Sequence, residues 1–132
     1  YAGDREEVAL AETIHHHQRF MAATEEPAGW TSDFRELVGS VDRDLHDVAA
    51  VPGVRHPSDY GTAQRTGAAL RAAGSDGLVW TSVRHPEGRC IGLFWPDVVP
   101  IPVQAGHYCY HWDGGRVDYI RRQDTGEVLA VT

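Results

Sequence analysis

Apolar positions along the chain are densest between residues 77 and 96, GLVWTSVRHPEGRCIGLFWP. Two apolar runs flank a polar stretch that has Pro86 and Gly88 at turn positions, so the pattern predicts a β-hairpin. Thr81 and Ser82 interrupt the first run, and alternation places their side chains on opposite faces of the strand. A buried hydroxyl costs free energy unless it is hydrogen-bonded. Each therefore has a protein partner or faces a site.

A helical pattern precedes this hairpin near the start of the chain. We predict a helix from about Arg5 to about Ala23, with one face packed on the core. The side chains of that face are Leu10, Ile14, His17 and Met21. Glu12 falls on roughly the opposite side of the helix. Periodicity alone therefore favours a solvent-exposed Glu12 over a carboxylate in a cleft.

The remaining segments predict a fold of the α+β class. Residues 30–41 alternate weakly and predict a strand, residues 42–57 predict a turn and a loop, and residues 60–73 predict a second helix ending at Gly74. After the hairpin, Pro100 and Pro102 make residues 98–103 an edge strand or an extended loop. Strands follow at residues 107–112, 116–122 and 127–131, with a turn at residues 113–115. We expect one domain over residues 1–132.

Composition limits the class of protein and its partners. The 132 residues carry a net charge of −7, which argues against direct contact with nucleic acid or with an anionic membrane. No apolar run approaches the length of a transmembrane helix. Two cysteines without a visible signal segment predict reduced thiols and a cytoplasmic protein.

One strand offers an alternative, metal-binding interpretation. His107, Cys109 and His111 occupy alternate positions, so their side chains share one face, and Cys90 from another strand could complete a tetrahedral set. The simpler interpretation is a half-buried strand on which His and Tyr alternate. Because no CxxC or HExxH spacing supports a metal, we expect none. A non-catalytic metal- or partner-binding β-rich domain remains the alternative function.

Candidates for catalysis are few, because the chain has no GxSxG, Walker or GxGxxG motif. What remains is the Glu12 carboxylate, the hydroxyls of Thr81 and Ser82, and aromatic or arginine side chains near them. Arg84 and Arg89 lie in the predicted turn, where surface arginines are common, although either could contact phosphate. A fixed anion beside a developing oxocarbenium ion is the arrangement used in glycosyl transfer.

Several segments together resemble a known family, the RES domain, whose members are toxins of RES–Xre toxin–antitoxin pairs. ALAE at residues 9–12 resembles the family's Glu motif. DGLVWTS at residues 76–82, followed by GRC and LF, resembles its Ser motif. LRAAG at residues 70–74 and HWDG at residues 111–114 match the preceding helix and the closing hairpin.

This resemblance implies a fold similar to ADP-ribosyltransferases, with mixed and antiparallel sheets and a few flanking helices. It implies an enzyme that cleaves the nicotinamide–ribose bond of NAD+ as its substrate. The ADP-ribosyl group would pass to a protein acceptor, to phosphate or to water, so the enzyme would be an ADP-ribosyltransferase, a phosphorylase or a glycohydrolase. The implied partner is an Xre-type helix-turn-helix antitoxin that blocks the active site within a hetero-oligomer and makes the DNA contacts.

The resemblance also implies roles for three residues. Glu12 and Ser82 would be catalytic and would contact NAD+, with Glu12 stabilising the ribosyl cation. Ser82 would either hold Glu12 or hydrogen-bond the nicotinamide side of the ligand. Tyr1 matches the tyrosine whose ring stacks on nicotinamide. The family arginine lies upstream of this position, so we expect an N-terminal segment, and with it the pyrophosphate site, to be missing from this sequence.

Overall fold

A computed structural model describes all residues from 1 to 132. It contains two helices, α1 (Glu6–Met21) and α2 (Gly61–Ala72), and a short 3₁₀ turn at Pro96–Val98. The strands are β1 (Ala2–Gly3), β2 (Thr31–Val38), β3 (His46–Asp47), β4 (Gly77–Thr81), β5 (Arg89–Leu93), β6 (Val103–Trp112), β7 (Val117–Arg122) and β8 (Val128–Ala130). Neither helix is long and apolar enough to cross a membrane.

The strands form two four-stranded sheets, ordered β1-β5-β4-β3 and β2-β6-β7-β8. Every pairing is antiparallel except that of β3 with β4. The predicted hairpin is β4 and β5, whose register runs from Gly77 opposite Leu93 to Thr81 opposite Arg89. The α+β prediction is therefore confirmed, with mostly antiparallel sheets beside two helices.

The chain forms two compact units. The first comprises residues 1–12 and 41–100 and holds the first sheet and α2. Its hydrophobic core consists of Val48, Val54 and Leu78, packed against Leu70, Trp80 and Phe94. The second unit comprises residues 13–40 and 101–132 and holds the second sheet. Its buried side chains include Tyr110, Trp112, Val117 and Ile120.

Two strands differ from their predicted positions. The two-residue strand β3 falls where a turn was expected, and it pairs in parallel with Leu78 and Val79 of β4. So short a strand has no alternation by which a sequence could reveal it. Strand β6 begins at Val103 instead of residue 107, directly after Pro102, and its pairing with β2 shifts register between Arg35 and Leu37. Proline therefore ends the irregular segment and does not interrupt a strand.

Helix α1 matches its predicted bounds within two residues, but the predicted core face is wrong in its first half. Val8 and Glu12 are buried there, with exposed fractions of 0% and 3%. The helix contributes residues up to Glu12 to the first unit and the following residues to the second. One apolar stripe therefore cannot describe both halves. In the second unit, His17 packs edge-on against Phe34 and Tyr110.

Candidate active site

A buried carboxylate and a buried hydroxyl meet in the first unit. Ser82 Oγ donates a hydrogen bond of 3.0 Å to Oε1 of Glu12. Their exposed fractions are only 2% and 3%. Glu12 comes from α1, and Ser82 follows the last residue of β4. The expectation of an exposed Glu12 is therefore wrong, and the hydroxyl of Ser82 has the partner that its burial requires.

The turn after β4 fixes the direction of the Ser82 hydroxyl. Its oxygen accepts hydrogen bonds from the backbone N–H groups of Arg84, at 3.2 Å, and His85, at 3.1 Å. A serine hydroxyl has two acceptor positions and a single proton. With both acceptor positions occupied by the turn, the proton is directed to Glu12. Thr81, on the other face of the strand, is only half-buried.

Arg84 completes the environment of the carboxylate. Its Nη1 donates to Oε2 of Glu12 at 3.0 Å, with side-chain exposed fractions of 17% for Arg84 and 5% for Glu12. Its Nη2 lies 3.2 Å from the carbonyl oxygen of Pro57 and 3.5 Å from the hydroxyl of Tyr60. A buried charge is stable only when it is paired and hydrogen-bonded, and this ion pair meets that requirement.

Sequence reasoning missed this role of Arg84, because an arginine in a hairpin turn is usually solvated. The only available signal was its position, two residues after the buried hydroxyl of the Ser motif.

Cys90 and Tyr1 lie beside the same carboxylate. The thiol of Cys90, which is fully buried, donates to Oε1 of Glu12 at 3.7 Å. Burial, together with the Glu12 charge, raises the pKa of this thiol, so it remains protonated at neutral pH. The hydroxyl of Tyr1 lies 3.6 Å from the Cys90 sulfur. Its pKa is raised, first by burial and then by Cys90 and Glu12.

The ring of Tyr1 stacks on that of Trp80, with a centroid separation of 5.8 Å and an interplanar angle of 26°. As a whole the residue is 65% exposed, although its hydroxyl points inward. All three residues assigned to the site from the sequence, Tyr1, Glu12 and Ser82, thus belong to one cluster. Cys90 and Arg84 join it.

Two glycines, Gly88 in the hairpin turn and Gly3 in β1, allow α1 to pack closely enough for these contacts. A Cβ on Gly88 would lie only 2.2 Å from Cγ2 of Val8, and one on Gly3 would lie 2.8 Å from Cγ1 of the same residue. The carboxylate of Asp4 also accepts a hydrogen bond of 2.9 Å from the backbone N–H of Arg89. Because Glu12 lies one helical turn beyond Val8, this packing brings its side chain to Ser82.

The alternative metal site is not assembled. His107 bonds to Arg35 at 3.3 Å and to Gln104 at 3.1 Å, and His111 bonds to Asp118 at 2.6 Å. Cys90 belongs to a different sheet from these histidines. Nowhere in the chain do three or more His, Cys, Asp or Glu side chains converge as metal ligands. The metal-binding interpretation therefore has no support from the geometry.

The cluster is suited to stabilising positive charge. It presents a carboxylate whose two oxygens are held by a hydroxyl and a guanidinium, beside a stacked pair of aromatic rings. Preorganised charges in a site shielded from water act more strongly than the same charges in solution. A planar aromatic or cationic group would find both a stacking surface and a counter-charge here.

Comparison with known proteins places the chain in a family. The model of the RES domain matches residues 1–113, which include every residue of the cluster. The uncharacterized protein y4oC of Sinorhizobium fredii (strain NBRC 101917 / NGR234) is 28% identical over 120 residues, which are 89% of this chain and 49% of that protein. The chain thus spans about half the length of this relative. No solved structure matches the chain. The chain belongs to the RES domain family.

Proposed function

We propose that the protein cleaves the nicotinamide–ribose bond of NAD+ and transfers the ADP-ribosyl group to an acceptor. The observation that carries this proposal is the buried Glu12 carboxylate hydrogen-bonded to Ser82. Both residues lie in segments that resemble the Glu and Ser motifs of the RES domain, and both lie within the matched residues 1–113. The activity would make the protein the toxin of a RES–Xre toxin–antitoxin pair. Members of the family are associated with NAD+-acting toxins.

The proposed chemistry follows from the charges involved. When the bond between ribose C1′ and the pyridinium nitrogen breaks, its electron pair leaves with nicotinamide, and positive charge develops on the ribose. The Glu12 carboxylate would stabilise that charge and accept hydrogen bonds from ribose hydroxyls. Ser82 would hold the carboxylate in place, and the ring of Tyr1 would stack on nicotinamide. An oxygen of a protein side chain, of phosphate or of water then bonds to C1′, and any proton on that oxygen is released to solvent, which completes the transfer.

The proposal also covers the fold type, the location and the partner of the protein. The two mostly antiparallel sheets and their helices are compatible with an ADP-ribosyltransferase-like core. We place the protein in the cytoplasm, where NAD+ is available, and expect no metal requirement for this reaction. The partner would be an Xre-type helix-turn-helix antitoxin that covers the site in a hetero-oligomer. That antitoxin would supply the DNA contacts, in keeping with the net charge of −7 here.

The test is a product analysis. The protein, expressed with any sequence that its gene encodes before Tyr1, is incubated with NAD+, and nicotinamide is measured by mass spectrometry. We expect release by the wild type, and a loss of about 10²–10³-fold in Glu12→Gln, because the counter-charge is removed. Parallel reactions with phosphate, with buffer alone and with cell extract identify the acceptor.

Glu7→Gln serves as the matched control, because Glu7 is an exposed carboxylate on the same helix. It should retain wild-type activity. The proposal is wrong if the wild type releases no nicotinamide, or if Glu12→Gln releases it as fast as the wild type.

A further inference from the structure

We propose that Arg84 is a positioning residue of this site: it fixes the ligand-facing oxygen of Glu12 and ties that oxygen to the segment 57–60. This inference rests on the proposed function, which does not itself assign any role to Arg84. The two terminal nitrogens of the Arg84 guanidinium have different partners.

The guanidinium joins two separate parts of the first unit. Nη1 bonds to Oε2 of Glu12 at 3.0 Å, and Nη2 bonds to the carbonyl oxygen of Pro57 at 3.2 Å. The planar fork of arginine holds both partners in a fixed relative geometry, which the single ammonium of a lysine does not. Glu12 is thereby connected to the turn before α2 as well as to the hairpin.

Counting donors identifies the oxygen that remains open to a ligand. Oε1 of Glu12 receives the hydroxyl of Ser82 and the thiol of Cys90. Oε2 receives Nη1 of Arg84. A carboxylate oxygen has about two acceptor positions, so Oε2, with one donor at 3.0 Å, is the oxygen better placed to accept from a ribose hydroxyl. Arg84 holds this oxygen, and it therefore sets the direction from which a ligand can bond to Glu12.

The same contacts argue against direct binding of the NAD+ pyrophosphate by Arg84. Both of its terminal nitrogens already donate to protein oxygens, and its side chain is only 17% exposed. Turning the guanidinium fully toward a phosphate would deprive the buried Glu12 carboxylate of its charge partner, which is costly. Arg84 therefore acts through Glu12.

Steady-state kinetics with NAD+ distinguish positioning of Glu12 by Arg84 from direct binding of the ligand by Arg84. For Arg84→Gln we expect kcat to fall by about 10²-fold, because a small displacement of a reacting group has an effect of that size, while KM stays close to the wild-type value. Arg84→Lys should recover part of the loss, since a lysine can reach one of the two partners. Arg65→Gln is the control, because Arg65 is an exposed arginine on α2 that bonds to Thr62.

A rise in KM with unchanged kcat in Arg84→Gln would show that Arg84 binds the ligand itself, and would overturn the inference. If the wild type releases no nicotinamide, the proposed function fails, and Arg84 is then judged by thermal unfolding of Arg84→Gln, Glu12→Gln and the double variant. Positioning of Glu12 requires that the two shifts in melting temperature are not additive. Additive shifts would refute it independently of activity.

Discussion

The hydroxyl of Ser82 donates to Oε1 of Glu12, although the two residues are 70 positions apart in the sequence. Both are buried, and the turn after β4 has already used the acceptor positions of the hydroxyl. The pair is therefore built by tertiary packing and by a local turn together. A single substitution can disturb either the tertiary packing or the local turn, and the two kinds of substitution have different effects on stability and activity.

Ser82→Ala removes the donor to Oε1 and also leaves the N–H groups of Arg84 and His85 without their acceptor. We expect a loss of about 1–3 kcal/mol in the free energy of unfolding, measured by urea denaturation, because buried polar groups are left unsatisfied. Nicotinamide release should fall as well. Thr81→Ala is the control and should change both quantities less, since Thr81 is half-buried on the opposite face. Equal effects of the two substitutions would contradict the assignment of Ser82.

The Glu12–Arg84 pair should respond asymmetrically to loss of either member. Arg84→Gln leaves a carboxylate of 5% exposure without its counter-ion, and we expect a destabilisation of about 3 kcal/mol or more. Glu12→Gln should cost less, because Arg84 is more exposed and keeps the carbonyl oxygen of Pro57 as a partner. Chemical denaturation of both variants checks the order, and a larger loss in Glu12→Gln would refute it.

The contributions of the ring and of the hydroxyl of Tyr1 can be measured separately. Tyr1→Phe keeps the aromatic surface that faces Trp80 and removes the hydroxyl beside Cys90. If stacking on nicotinamide is its role, Tyr1→Phe should retain most of the activity, whereas Tyr1→Ala should raise KM for NAD+ about tenfold, in line with about 0.5–1.5 kcal/mol for an aromatic contact. Equal activity in Tyr1→Ala and the wild type would exclude a stacking role.

Gly88→Ala tests the close approach of α1 to the hairpin. The added methyl would lie 2.2 Å from Cγ2 of the fully buried Val8, so the turn or the helix must shift. Overpacking of this kind costs about 1–3 kcal/mol, and thermal unfolding should report a lower melting temperature. Gly115→Ala is the matched control, because its nearest atom, Oδ1 of Asp113, lies at an ordinary 3.6 Å. An unchanged melting temperature in Gly88→Ala would contradict this packing.

We expect the free energy of unfolding to decrease at acidic pH, because the Asp4 carboxylate becomes protonated. The backbone N–H of Arg89 is the main cause that lowers the pKa of Asp4 below its ordinary value of 3.8. A carboxylate whose pKa is lower in the folded state stabilises the fold above its unfolded pKa. That contribution is lost as the pH falls from 3.8 through the lower folded value. Asp4→Asn should reduce the difference in melting temperature between pH 6 and pH 3, and an unchanged difference would argue against this role.

Much of the fold can be derived from the amino-acid sequence, because its signals are local. The helices follow from periodicity and from Gly74, and the hairpin follows from Pro86 and Gly88 between two apolar runs. Strand β3 does not follow, because two residues paired with β4 leave no pattern of their own.

The site is harder to predict, because its contacts are distant in sequence. Periodicity predicts an exposed Glu12. The absence of other motifs leaves it among the candidates for catalysis, and only the resemblance to a family gives it a role. The structure shows why: the first half of α1 buries the face that carries Val8 and Glu12. Arg84 was missed for a related reason. The oxygens that hold it, from Pro57 and Glu12, lie 27 and 72 residues away and cannot be inferred from the turn itself.

The long separation between Glu12 and its partners also affects when the site can exist during protein synthesis. The ribosome completes α1 first, and Arg84 follows 72 residues after Glu12. At about 5–20 residues per second, this interval lasts about 4–14 s. Throughout it the carboxylate has neither its hydroxyl nor its guanidinium. Nascent chains and products that terminate before the hairpin therefore lack the assembled cluster.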